Sequence, residues 1–166
     1  KNYGMQILML ANKMPYPPKD GGSIATLSMA KAFVKLGHRV TILAMNTYKH
    51  HFEVEDLPDD IKSEIDFYTV YVDTSIKPPE VLTNLIFSRL PYNAKRFISS
   101  AYKQKLVKLL REKQFDIVQL EGLYLYPYIG IIRKHFTGPV SFRAHNVEHE
   151  IWRRSLTNQR QGIKRM

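Results

Sequence analysis

The sequence predicts an α/β fold, a Rossmann-like open, mostly parallel twisted sheet of about five or more strands with helices on both faces. Three observations lead to it. The stretch from Met5 to Leu43 reads as one strand–loop–helix–strand unit, the building block of a parallel sheet. Short apolar runs then keep alternating with helical patterns down the chain. No internal repeat interrupts that order. At 166 residues, 44% of them hydrophobic and 11% aromatic, the chain is one domain of ordinary size with enough material for a core.

The first strand is the run Ile7 to Ala11, and a Pro-rich loop carries the chain from it to Gly21-Gly22. In the helix that follows, Leu27, Ala30, Val34 and, one step round, Phe33 recur at helical spacing, while Lys31 and Lys35 point elsewhere. Ser23 suits the N-cap, and Asp20 or Gly22 serves if the helix starts earlier. Gly37 suits the residue just past its end, before a second strand over Val40 to Leu43. Asn46 to Asp60 is polar and irregular. It carries His50-His51 beside an acidic patch, but adjacent side chains diverge and no ligand spacing recurs, so a mobile loop is expected there instead of a metal site.

Ile65 to Val72 alternates and is rich in aromatic and β-branched residues, a third strand. Pro78-Pro79 break the chain, and Val81 to Leu90 reads as a short amphipathic helix. Ser99 or Ser100 caps a longer one with Tyr102, Leu106, Leu109 and Leu110 inward. Its Lys103, Lys105, Lys108 and Arg111 form a solvated face, or alternatively a polyanion-binding one. Ile117 to Leu120 is a fourth strand; Tyr124 to Phe136 is helical, irregular around Pro127, and closed by Gly138-Pro139; Val140 to Arg143 is a fifth strand. Asn146 onward is helical with Val147, Ile151 and Leu156 inward, and Thr157 to Met166 has lost periodicity, as the start of a linker or a truncated end.

Composition narrows the chemistry. The absence of cysteine excludes disulfides, thiolate catalysis and cysteine metal sites, and suits a reducing compartment. The opening apolar run is too short for a signal peptide, no segment is long enough to span a membrane, and Met5 looks like a natural start. A formal charge of +10 favours an anionic partner: nucleic acid, lipid headgroups or a phosphorylated substrate. Nucleic acid is disfavoured by the lack of an aromatic-interleaved strand motif, zinc spacing or helix-turn-helix. A dinucleotide site is disfavoured too, since the first loop carries GG instead of G-x-G-x-x-G and the second strand ends Ala44-Met45-Asn46 without a carboxylate. No G-x-x-x-x-G-K-[ST] phosphate loop is present either.

Open α/β sheets bind ligands outside the carboxyl ends of their strands. That singles out the loops Asn12–Gly22, Asn46 onward, Glu121–Tyr124 and Ala144–His149. Gly21 and Gly22 lie beside the positive end of a helix dipole, where an anion is favoured and where close backbone approach or a left-handed φ comes cheaply only to glycine. Phe142 to His149 places ionisable and amide groups at the sheet edge. There His145 suits a hydrogen bond to a sugar hydroxyl or phosphate oxygen, polarisation of a reacting group, or equally a structural cap. Glu121 suits a bridge between sugar hydroxyls, or an ion pair with Arg143.

The Pro-rich loop into Gly21-Gly22, a helix ending LGH, a strand beginning RVTIL, and the later FDIVQLEG and VSFRAHNVE segments together resemble glycosyltransferase family 4. The resemblance runs from Met5 to about Leu156 and implies the N-terminal, acceptor-side domain of a GT-B-fold enzyme, over residues 5–156. It implies that Gly21 and Gly22 approach the diphosphate of a nucleotide-sugar donor and that His145 is the catalytic-site residue contacting the transferred sugar. Asp20, Glu121, Arg143 and Asn146 are then the acceptor or sugar-binding candidates. Such enzymes are usually retaining and metal-independent, so no cofactor is expected. Their donor-binding C-terminal domain has no counterpart in this chain, so the piece alone is expected to be inactive. A glycan or lipid-linked acceptor, as in polysaccharide biosynthesis, a cytoplasmic location and peripheral contact with an anionic membrane complete what is implied. The alternative is a non-catalytic α/β domain binding an anionic or phosphorylated ligand.

Overall fold

The computed structural model describes residues 4–75 and 95–144; the helix expected over Val81 to Leu90 and everything from His145 onward lie outside the described residues. Five strands, β1 (Gln6–Ala11), β2 (Arg39–Asn46), β3 (Ile65–Tyr71), β4 (Ile117–Glu121) and β5 (Val140–Arg143), form one sheet in the order β3-β2-β1-β4-β5. Every neighbouring pair is parallel. In the centre, Ile7 is level with Val40 and Ile117, and Ala11 is level with Ala44 and Glu121.

Strand alternation divides the core in two. Ile7, Met9 and Ala11, with Ile42 and Ala44, pack under α1 (Gly21–Lys35) and α2 (Asp59–Glu64). Leu8, Leu10, Leu43, Met45 and Leu120 pack on the opposite side under α3 (Ser100–Glu112) and α4 (Ile129–His135). Helices cover both faces, so neither residue parity along a central strand meets water, and those strands read as nearly unbroken apolar runs.

Helix α1 begins at Gly21, and its N-cap is Asp20, whose carboxylate accepts the Ser23 N–H at 2.9 Å. Ser23, the first-choice cap from sequence, is instead the third helical residue and is buried. The aspartate prevails because its carboxylate reaches that third amide from one residue outside the helix. At the other end Gly37 takes φ 86°, its N–H donates to Val34 O at 2.9 Å, and the His38 N–H donates to Phe33 O at 3.0 Å. That is the Schellman closure expected of a glycine in that place.

The segment after β2 differs from the mobile loop expected of it. Buried Asn46 donates from Nδ2 to Phe52 O and accepts the Phe52 N–H, each at 3.0 Å, and the Phe52 ring meets Tyr16 edge-on at 4.9 Å. Short turns at Tyr48–His50 and Val54–Asp56 follow, then α2, in which Asp59 and Asp60 occupy the first turn where the helix dipole favours them. With Ile61 as its one buried residue, α2 is too short to show a period in the sequence.

On the other face Ser99 caps α3 by accepting the Tyr102 N–H at 3.3 Å, and Tyr102, Leu106 and Leu109 are buried. The Tyr102 hydroxyl donates to Leu43 O at 2.8 Å, anchoring α3 to the middle of β2. Tyr128, edge-on to Tyr102 at 5.0 Å, accepts the Ser99 N–H and donates to Phe97 O, both at 2.8 Å. Burial pushes both phenol pKa values up. The aromatic stretch after β4 is a tight turn over Leu123–Tyr128 that contains Pro127 and leads directly into α4.

Candidate functional site

β1 and β4 are adjacent, but their chains leave in opposite directions, β1 toward β2 and β4 toward β5. Loops diverging at such a switch point open a crevice at the carboxyl edge. A cleft of about 520 Å³ lies there, with Ala11 and Gly122 at the strand ends and walls from Lys13, Gly21, Gly22, Thr26 and Tyr124.

Gly21 and Gly22 are the first two residues of α1, so their conformation is helical, not left-handed; among the described residues the only glycines at positive φ are Gly37 and Gly122. A Cβ at Gly21 would meet nothing within 4 Å, so the helix end stands bare toward the cleft. A Cβ at Gly22 would stand 3.3 Å from both Asp20 Oδ1 and Lys13 Nζ. The N–H groups of both glycines lack an acceptor within the helix, as first-turn amides do.

Beside them Lys13 Nζ donates to Asp20 Oδ1 at 2.5 Å, and Ser23 Oγ donates to Asp20 Oδ2 at 3.3 Å. Asp20's carboxyl is lowered to about 2: burial alone would raise it, but hydrogen bonds from Lys13 and the Ser23 N–H, together with the Lys13 and His50 charges, outweigh burial. His50 is lowered in turn, by burial first and then by Lys13, against the opposing pull of Asp20. Three titratable groups from two loops therefore act on one another at this wall. The sequence drew attention to His50 only as a neighbour of His51 and the acidic patch, because its partners Lys13 and Asp20 come from the loop before α1.

The other side is built on β4 and β5. Gly122 takes φ 107° and ψ 153°, a region essentially restricted to glycine, and its N–H donates to Arg143 O at 3.0 Å. Glu121 is buried, its carboxylate accepting from Arg143 Nε at 2.9 Å, Arg143 Nη2 at 2.5 Å and Thr26 Oγ1 at 3.2 Å, all on Oε2, and from Gln119 Nε2 on Oε1. Of the residues singled out in the sequence, Asp20, Gly21 and Gly22 thus share one wall, and Glu121 and Arg143 form an ion pair beside it. His145 and Asn146 lie outside the described residues; Ala144, just before them, lines the cleft. Lys13 and Gly122 lie in loops that the sequence singled out, without being named there, and Thr26 is a site residue that it did not signal. No helix among the described residues is long and apolar enough to cross a membrane.

Residues 19–166 match the family model for Glycosyltransferase Family 4. Among solved structures, the C-terminal domain of a hydrogenase from Pyrococcus furiosus is similar in fold, with 16% sequence identity and a TM-score of 0.53 over 83% of this chain and 89% of that one. No curated protein matches the chain.

The Asp20 cap has a signature in acid. A carboxyl whose pKa falls from 3.8 to about 2 on folding lends stability that is complete above pH 3.8 and lost as the pH drops from there through about 2. Asp20→Ala is expected to cost about 1 kcal/mol at neutral pH and to flatten that acid dependence. Denaturant unfolding of both proteins between pH 2 and 7 measures it, and identical curves would show that the cap contributes nothing.

Proposed function

The chain belongs to Glycosyltransferase Family 4, and from that premise we propose that residues 5–156 form the acceptor-side, N-terminal half of a GT-B enzyme that transfers a sugar from a nucleotide-sugar donor. The switch-point cleft with its bare helix end at Gly21 carries this reading. Two first-turn amides and the positive end of the α1 dipole suit the oxygens of a diphosphate. Close approach is what a side chain at Gly21 would prevent. Lys13 already neutralises Asp20, so the cap carboxylate is a fixed acceptor for sugar hydroxyls instead of a repelling charge. His145 and Asn146, which follow the cleft residue Ala144 in sequence, contact the transferred sugar, His145 polarising it at the reacting carbon. Transfer proceeds with retention and without a metal. The remaining donor contacts come from a second domain, so this half alone binds nucleotide sugars weakly and does not turn them over.

The acceptor is a glycan or a lipid-linked sugar met at the cytoplasmic face of a membrane. Supporting this is a groove beside the Leu123–Tyr128 turn, lined by exposed Ile98 and Tyr126 together with Lys103 and Lys134. A lysine near an anionic leaflet contributes on the order of 1 kcal/mol, so a few give reversible, salt-sensitive attachment. Co-sedimentation with anionic vesicles at low salt, lost at high salt, is the expected result. Equal recovery in the supernatant with neutral and anionic vesicles would refute the membrane contact.

The donor assignment is tested at Gly21. Because a Cβ there meets no protein atom within 4 Å, Gly21→Ala is expected to leave the melting temperature unchanged or raised. In the two-domain enzyme it should reduce turnover at least about tenfold, equivalent to about 1.4 kcal/mol of transition-state stabilisation. Unaltered turnover would mean that no phosphate approaches that amide.

A further inference from the structure

We propose that Glu121 is a positioning residue of the cleft: its buried carboxylate holds the α1, β4 and β5 walls in one arrangement. The proposal rests on the function given above only for its activity readout. The Glu121 side chain is 1% exposed and Arg143 is 27% exposed. Its hydrogen bonds reach three segments of chain at once: Thr26 in α1, Gln119 in its own strand, and Arg143 at the end of β5. Each segment contributes to the cleft lining, through Thr26 itself, through Gly122 next to Glu121, and through Ala144 next to Arg143. Gly122 adds a fourth tie by donating its N–H to Arg143 O at 3.0 Å.

Stability does not explain a charged pair in this place. Well-packed apolar side chains of similar volume serve a buried site as well as an ion pair or better, because the pair must be stripped of water first. A carboxylate does offer something an apolar group lacks. It is an all-acceptor hub, and every donor on it must come to a fixed point. An amide in its place can keep those hydrogen bonds, its oxygen on Arg143 and Thr26 and its NH2 toward a Gln119 amide turned over, but it carries no charge. Glu121→Gln therefore keeps the shape while leaving the guanidinium without its counter-charge.

Two variants separate positioning from packing, Glu121→Gln and Glu121→Leu combined with Arg143→Met. The single change is expected to lower the melting temperature, and the double change, which leaves no unpaired charge, to recover most of it. In both, amide hydrogen exchange at Thr26 and Gly122 should quicken at least tenfold while β1 keeps its wild-type rates. In the two-domain enzyme both should lose at least tenfold in kcat with KM for the nucleotide sugar within about threefold, the pattern of a misplaced site. A double variant with recovered stability, wild-type exchange at Thr26 and Gly122, and wild-type kcat would overturn the proposal and reduce the pair to packing. If the unmodified enzyme transfers no sugar from UDP-, GDP- or ADP-sugars, the functional assignment fails, and the exchange rates still decide the role of Glu121.

Discussion

A parallel sheet with both faces covered leaves the chain only one place for chemistry, the edge where strands end. β1 and β2 are apolar over almost their whole length because each parity of side chain faces a different helical layer. Polar function has to begin where the strands stop. The strand order then selects the point along that edge: at β1 and β4 the connections part, β1 leading toward β2 and β4 toward β5. The cleft, the bare end of α1 and the buried Glu121–Arg143 pair are consequences of that one topological fact.

Two carboxylates at this edge show how environment divides labour. Asp20 is half-exposed, caps a helix and is matched by the Lys13 ammonium, so it stays ionised into strong acid while still facing the cleft. Glu121 is enclosed and matched by a guanidinium in a fixed arrangement, so it organises the surrounding backbone. Among the described residues, the charges of Lys13, Asp20, Glu121 and Arg143 at the cleft are paired. Among the described residues, the basic face of α3, with Lys103, Lys108 and Arg111 beside the single carboxylate of Glu112, is a place where cations outnumber carboxylates.

Local signals were legible in the sequence, and contacts between distant segments were not. β1 and β2 were identifiable from their apolar runs, α3 from a serine cap followed by Tyr102, Leu106 and Leu109, and the end of α1 from Gly37, since each signal lies within a few residues. The irregular start of the Tyr124 to Phe136 stretch was foreshadowed by Pro127. By contrast, the Asn46–Phe52 clamp, the short helix α2 and the placement of His50 beside Lys13 depend on where the fold brings separate segments. The glycines divide the same way. The sequence drew attention to Gly21-Gly22 for close backbone approach or a left-handed φ; both are helical, and the glycine with a positive φ at the cleft is Gly122. No local pattern distinguishes those two uses of the residue.

The central claim, that the switch-point cleft receives a nucleotide sugar, is most directly tested by nuclear magnetic resonance on the isotope-labelled chain. Weak binding is no obstacle there, and the eight glycines give few and separable amide signals. On titration with UDP-, GDP- or ADP-glucose into the millimolar range, the amides of Gly21, Gly22 and Gly122 are predicted to move with one nucleotide and those of Gly130 and Gly138, outside the cleft lining, to stay still. Shifts confined to the groove between Lys103 and Lys134, or no movement of the three cleft glycines with any donor, would contradict it.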